Sequence, residues 1–349
     1  MLEDWRERIA GAGRSGTPLR LCGAGTKDFY GERLAGEVMN LRGWQGIVDY
    51  EPSELVISVR SGTPLSEVEA ALAAHDQFLA FEPPAFGADP TIGGVIAAGL
   101  SGPRRMFAGA ARDFVLGTRL LTAQGEVLRF GGQVMKNVAG FDVSRLLCGS
   151  LGILGILTEI SLKVLPRPRL EETRRLELAA AETVEAFNRW AALPLPVSGA
   201  AWSQGSAWVR LSGAPAAVRA AREQIGGDPV AASLAERFWS DLRHCQLPLF
   251  AAESLWRLSL PPAAAPPDLP VEPLIDWGGA LRWYANVPPE IPVRERARAA
   301  RGTALRWRGA APEGRFHPLP ENVASLHRRL KERFDPRGIF NPGRLIASL

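Results

Sequence analysis

Three short glycine-bearing segments, in order through the first half of the chain, constrain it more than anything that follows. They are Leu21-Cys22-Gly23-Ala24-Gly25-Thr26-Lys27-Asp28, then Pro90-Thr91-Ile92-Gly93-Gly94-Val95-Ile96-Ala97-Ala98-Gly99, then Gly140-Phe141-Asp142 with the run Gly149–Ile156. Each offers backbone N–H groups, in a loop or at a helix start, where no Cβ blocks a ligand. A lone Gly-Ala-Gly-Thr is common in ordinary turns. Three such segments separated by strand-like runs point to a long, phosphate-bearing ligand held at several points.

Two common nucleotide motifs do not fit. A Rossmann fingerprint beginning at Gly23 needs glycine where Asp28 stands, and a P-loop needs Gly-Lys-Ser/Thr where the chain has Thr26-Lys27-Asp28.

Local signals give a coarse layout. Residues 2–12 read as a helix and Leu19–Cys22 as a strand feeding the first glycine loop. Leu55–Val59 reads as a strand, followed by a helix with Thr63 as cap, Pro64 at its first position, and Leu65, Val68 and Leu72 on one face. Ile92–Leu100 reads as a small-residue helix that approaches backbone or ligand closely. Phe114–Thr122 and Val127–Phe130 read as a hairpin, and Thr158–Leu165 as the strand before the linker Pro166-Arg167-Pro168. Beyond Pro168 the composition turns to Ala, Pro, Arg and Trp, with eight of the ten tryptophans between 170 and 310. These are read as core or interface anchors, core being the default. This region reads as an antiparallel sheet with helices such as Ala181–Ala192 and Ala214–Gln224. At 319–334 an apolar stripe of Leu319, Val323, Leu326, Leu330 and Phe334 opposes Arg328, Arg329, Lys331 and Arg333, and the helix stops at Asp335-Pro336.

Composition excludes some classes. A length of 349 suggests two domains, and 46% hydrophobic with 22% charged residues is ordinary for a folded protein. The net charge of +4 comes from dispersed arginines without a nucleic-acid motif, and suits an anionic cofactor and small anionic substrates better than nucleic acid. Cys22, Cys148 and Cys245 are too scattered for zinc or an iron–sulfur cluster and read as buried small residues in a reducing compartment. The charged start Met1–Arg8 has no apolar core, and no run of 18 apolar residues follows, so no transmembrane segment is expected. The expected location is cytoplasmic, or peripheral to the inner membrane through a complex.

The ordered set resembles the FAD-binding domain of the vanillyl-alcohol oxidase flavoprotein superfamily. It comprises Gly23-x-Gly25-Thr26, Pro52–Val59, Pro90–Gly94, Ser101-Gly102-Pro103-Arg104-Arg105, Gly109, Arg112–Gly117 and Gly149–Ile156. With the ending Phe334–Leu345 it is most similar to the FAD-binding subunits of bacterial glycolate oxidases. The resemblance covers about residues 15–168 and 315–346. It implies an α+β fold: a two-subdomain FAD-binding domain at 1–168, a smaller cap-like α/β domain at 169–312, and a C-terminal segment at 313–349 packing back on the first. It also implies that Gly23, Gly25 and Thr26 meet the FAD pyrophosphate together with Thr91, Gly93 and Gly94. Ser101 and Gly102 would lie nearer the isoalloxazine. Gly140, Asp142, Gly149, Gly152, Ile153, Gly155 and Ile156 would form a third anchor, with Ile153 and Ile156 toward the adenine. Arg105 and Arg112-Asp113 either fix their loop by ion pairing or contact the ring. His75 and Cys22 are misplaced for covalent attachment, so noncovalent FAD is expected.

Catalysis is less legible. Oxidising a 2-hydroxy acid needs a base for the hydroxyl proton and a cation for the carboxylate. The His-x-Gly-Asp-Gly-Asn-x-His segment of larger relatives is missing, and only His75, His244, His317 and His327 are available. His317, where the chain returns to the first domain, is a candidate base set against a structural histidine. Two subunit readings stay open beside a stand-alone oxidase that uses oxygen. One is a subunit that oxidises glycolate or a related 2-hydroxy acid on its own flavin. The other is a flavin-bearing electron-transfer or structural subunit with no substrate site. Both imply a catalytic flavoprotein subunit and an iron–sulfur subunit as partners.

Overall fold

The computed structural model describes residues 1–87, 89–132 and 141–348. They form two compact units. One comprises Met1–Leu100, Ala110–Pro166 and Pro318–Leu349, and the other Ser101–Gly109 with Arg167–His317.

The first unit starts with helix α1 (Leu2–Ser15), which buries Trp5, Ile9 and Ala12 at helical spacing and ends on Gly16 in the left-handed conformation. Strand β1 (Leu19–Cys22) pairs in parallel with β2 (Glu37–Asn40). Leu19 also pairs with Phe340, so the C-terminal segment extends this small sheet. A five-stranded sheet follows, built from β3 (Ile47–Glu51), β4 (Val56–Arg60), β5 (Val115–Leu121), β6 (Val127–Gly131) and β7 (Ile156–Lys163), in the order β3-β4-β7-β5-β6. All its neighbouring strands are antiparallel. Its central strands β4 and β7 are almost continuously buried, as their runs of Val, Ile and Leu require. Ser58 and Ser161, facing each other between them, satisfy one another at 2.7 Å.

Helix α2 (Leu65–Ala73) buries Leu65, Val68 and Leu72 as the spacing predicts, but begins one residue later than expected. Pro64 occupies the cap position, while the Thr63 hydroxyl donates to the Arg60 carbonyl at 2.7 Å and accepts from Gly46 N at 2.9 Å. Those two bonds occupy the side chain that would otherwise cap. Helix α3 (Ile92–Ala98) is capped by Thr91 and closed by Gly99. Ile92 N donates to the Thr63 carbonyl and Gly93 N to Ser61, fastening the start of α3 to the end of β4. A Cβ on Gly93 would sit 2.7 Å from that of Ser61, so this contact requires glycine.

The C-terminal helix runs from Glu321 to Phe334, and its burial differs from the stripe expected from sequence. Leu319 and Leu326 are exposed, and the buried residue of the helix is Lys331. Its ammonium donates to the Asp335 carboxylate at 2.7 Å and to the carbonyls of Ile153 at 2.8 Å and Phe340 at 2.7 Å. All three protons are matched, which is why a cation is tolerated there. Burial pulls the Lys331 pKa down, opposed by Asp335.

The second unit holds one antiparallel sheet of eight strands. The helices Ala180–Ala191 and Pro215–Ile225 contribute Val184, Phe187, Trp190, Val218 and Ile225 to a core shared with its strands. Of the seven tryptophans from Trp202 onward, all but Trp256 are buried; Trp208 stacks on Phe238 at 4.0 Å and Trp283 meets Trp307 edge-on. Segment 101–109, placed by sequence within the first domain, belongs here. Trp277 Nε1 donates to the Gly102 carbonyl at 3.0 Å, Arg104 pairs with Glu171 at 2.7 Å, and the Arg105 guanidinium lies over Trp277. These partners lie too far along the chain to be visible locally.

Lys331→Met leaves Asp335 buried opposite an apolar group and should destabilise the first unit by about 3 kcal/mol in chemical denaturation. A loss below ~1 kcal/mol would show the ammonium to be dispensable.

Candidate functional site

A cavity of about 70 Å³ lies within the first unit where the glycine segments meet. Gly23 lines it from the first segment, Thr91, Gly93, Gly94 and Ala97 from the second, and Gly152, Gly155 and Ile156 from the third. Leu21, Leu41, Ser61, Leu151, Leu157 and Asn341 complete the wall. Segments more than a hundred residues apart in sequence therefore share one concavity.

Donors are distributed unevenly around it. The amides of Gly23, Ala24, Gly25 and Thr26 make no hydrogen bond among the described residues, and Gly25 is left-handed at φ 73°. Successive unused amides in such a turn form an anion-binding concavity. At α3 the expectation of free N–H groups is not met. Ile92 and Gly93 donate to the Thr63 and Ser61 carbonyls just after β4, Val95 donates to the Thr91 carbonyl, and Gly94 N reaches the Thr91 hydroxyl at a long 3.3 Å. The helix has spent its first amides on its own attachment, so the first loop holds the available donors.

Ser61 adds a second polar element. It is 2% exposed, and its hydroxyl has no hydrogen-bond partner among the described residues. A buried hydroxyl left unmatched costs on the order of 1–3 kcal/mol, which a polar ligand in the cavity would recover. Unused amides, an orphaned hydroxyl and a glycine-lined wall together fit a phosphate-bearing ligand. Beside the loop, burial lowers the Lys27 pKa to about 8. Its ammonium contacts the Thr26 hydroxyl and the Ala85 carbonyl, each at 3.4 Å, and lies over the Phe86 ring.

The third segment is docked on the end of α3. Gly149 N donates to the Ile96 carbonyl and Leu151 N to Ala97. A Cβ on Gly99 would come within 2.9 Å of Gly149 Cα, so the two glycines meet backbone to backbone.

Not every residue singled out by sequence lines the cavity. Gly25 and Thr26 belong to the loop of unused amides but not to the wall, and Gly149 and Ile153 lie behind it, the latter as an acceptor for Lys331. Asp142 caps the five-residue helix Val143–Leu147, accepts from Arg145 N and pairs with the Arg145 guanidinium. Ser101 and Gly102 are in the second unit, and Gly140 lies outside the described residues. His317, also in the second unit, accepts the Ala304 amide on Nδ1 at 3.3 Å, which leaves the proton of the neutral ring on Nε2. Burial, then Arg298 and Arg294, push its pKa down. His75 lies just beyond α2, edge-on to Tyr50. Ser61, Lys27 and Asn341 escaped the sequence reading. A serine ending a strand carries no signal, and Asn341 sits in the Asn-Pro-Gly ending that supported the resemblance without being given a role.

Among the described residues no cluster of side chains could hold a metal ion, and no helix is long and apolar enough to cross a membrane.

Comparison with known proteins is consistent with this geometry. The FAD binding domain family matches residues 2–131. The glycolate oxidase subunit GlcE of Escherichia coli K12 is 48% identical over 95% of this chain and 94% of its own length. The Bacillus subtilis glycolate oxidase subunit GlcD is 33% identical over 49% of this chain and 34% of its own. Among solved structures, an alkyldihydroxyacetonephosphate synthase superposes with a TM-score of 0.66 at 15% identity, covering 97% of this chain and 74% of the other. The fold is thus the α+β, FAD-binding fold of the vanillyl-alcohol oxidase type, and the chain belongs to the GlcE family of glycolate oxidase subunits.

Proposed function

We propose that this chain is the FAD-bearing subunit of a complex that oxidises glycolate, or a closely similar 2-hydroxy acid, and hands the electrons to partner subunits. The observation that carries the reading is the glycine-lined cavity beside the loop of unused amides, in a chain 48% identical to a glycolate oxidase subunit. When bound, the flavin supplies a two-electron acceptor that can release electrons singly. Every other role falls to the chain itself. Gly23–Thr26 present amides to the pyrophosphate, Ser61 and Thr91 offer hydroxyls, and Gly94 keeps the wall open. Gly93, Gly152, Gly155 and Ile156 shape the remainder, while Gly25, Gly149, Ile153 and Asp142 hold the loops that carry these groups.

Attachment is noncovalent in this reading. Cys22, the cysteine beside the first loop, has its pKa raised, chiefly by burial, and donates to the Gly23 carbonyl at 3.4 Å. A protonated, occupied thiol is a poor nucleophile. The partners proposed are a catalytic flavoprotein subunit and an iron–sulfur subunit, the second because this chain's three cysteines are far apart and unpaired. The complex would work in the cytoplasm, at the inner membrane surface if a partner brings it there.

His317 bears on where substrate is oxidised. A ring whose Nδ1 already accepts a backbone amide, among arginines, is not poised to take a hydroxyl proton. This favours a flavin-bearing electron-transfer role over a substrate site in this chain.

Three outcomes follow. A Cβ at Gly94 would meet only the Thr91 hydroxyl, at 3.3 Å, so Gly94→Val should fold, with a normal circular-dichroism spectrum, yet lose FAD. Wild-type flavin stoichiometry in that variant would refute the assignment. Next, Lys27 in the free protein gives up its proton near pH 8, and its ammonium favours an anion only while it persists. Affinity for FAD should therefore fall as pH rises from about 7 through that value, and Lys27→Met should flatten the titration. Finally, the FAD-loaded chain mixed anaerobically with glycolate, lactate or 2-hydroxybutyrate should keep its flavin band until partner subunits are added. Rapid bleaching by the chain alone, abolished in His317→Ala, would place the substrate base here after all.

A further inference from the structure

The end of the chain touches the glycine loops through side chains rather than by general packing. Asn341 lines the cavity and has a left-handed backbone at φ 42°. Its side-chain oxygen accepts from Leu21 N at 2.7 Å, two residues before Gly23, and its nitrogen donates to the Leu151 carbonyl at 2.7 Å, next to Gly152. One amide group therefore spans the first and third glycine segments. Three residues on, the buried Arg344 gathers the far side of the first loop. Its guanidinium donates to the carbonyls of Lys27 at 3.1 Å, Asp28 at 2.9 Å, Glu32 at 3.2 Å and Tyr30. Lys331 holds the Ile153 carbonyl from behind. The backbone follows the same course, with Leu19 N donating to Ile339, Asn341 N to Leu19 and Glu32 N to Arg344.

We infer that residues 335–344 form a latch coupled to the cofactor. Asn341 and Arg344 are positioning residues that set the distance and orientation between the first and third glycine segments, so seating of this segment and binding of the flavin nucleotide reinforce one another. The physical reason is that the loop's own amides do not fix it. The Gly23–Thr26 amides make no hydrogen bond among the described residues, so the loop takes its shape from its flanks, Leu21 on one side and Lys27–Glu32 on the other. Asn341 ties the first flank, which β2 also pairs, to the third segment, and Arg344 gathers the second. A loop placed correctly before binding costs less order on binding. By linkage, what the latch contributes to nucleotide affinity the nucleotide returns to the latch.

The inference rests on the FAD reading, and the test separates the two. Full-length apoprotein is titrated with FAD by flavin fluorescence, and hydrogen–deuterium exchange is followed in peptides covering 335–348 with and without FAD. In the wild type, FAD should slow exchange there about tenfold, and Asn341→Ala should weaken FAD binding by a similar ~tenfold factor and erase that protection. Asn341→Asp keeps the acceptor for Leu21 but loses the donor to Leu151, and should fall between. Arg344→Lys keeps the charge without the fork and should also weaken binding, which preserves the test if Asn341→Ala fails to fold. A merely structural role predicts lower apoprotein stability with FAD affinity within about twofold of wild type, and that result overturns the latch. So does wild-type exchange in 335–348 that ignores FAD. Wild-type apoprotein that takes up no FAD overturns both readings.

Discussion

A buried ammonium organises the first unit. Lys331 loses water on entering the interior, a cost that only three well-placed acceptors offset, and each comes from a different part of the chain: its own helix terminus, the third glycine segment and the C-terminal segment at Phe340. Asp335 is committed in turn, receiving the amides of Ile339 and Phe340 as well as the ammonium. An apolar side chain at 331 could fill the volume but could not specify where those three pieces stop. Charge here fixes geometry, and the cavity inherits that geometry because Ile153 follows directly on the cavity-lining Leu151-Gly152.

The cavity wall shows a division of labour among backbone donors. A short helix start has few amides, and in α3 those of Ile92 and Gly93 are committed to the segment just after β4 and the next two to the helix's own cap. The first loop has the opposite character, with its amides unspent and its placement delegated to neighbours. A wall facing a loop rich in unmatched donors suits an anion, because little has to be broken when a ligand arrives.

How much of this could be read in the sequence depended on whether a constraint leaves a local mark. A glycine that leaves its backbone N–H uncovered does, and Gly23, Gly93 and Gly152, which line the cavity, are singled out by sequence on that ground. Strand and hairpin runs do as well: Leu19–Cys22 was read at its observed limits, and the Phe114–Phe130 hairpin to within a residue at each end. Lys331 left no such mark. A lysine on a helix reads as solvent face, and its acceptors at 153 and 340 are visible only after folding. Ser61 was silent for the same reason, as was the attachment of 101–109 to Trp277 and Glu171. The Leu319–Phe334 stripe misled because hydrophobic spacing gives the phase of a helix without giving the side that is covered.

The pairing of Leu19 with Phe340 also bears on how the molecule comes into being. Leu21 and Asn341, 320 positions apart, must meet before the first loop has both of its flanks held. A chain emerging from the ribosome from its N-terminal end presents the glycine segments long before it presents their fastenings. Contacts of such long range are late events in folding. We therefore expect the nascent first unit to complete its glycine-lined cavity only after residues 339–344 have been made.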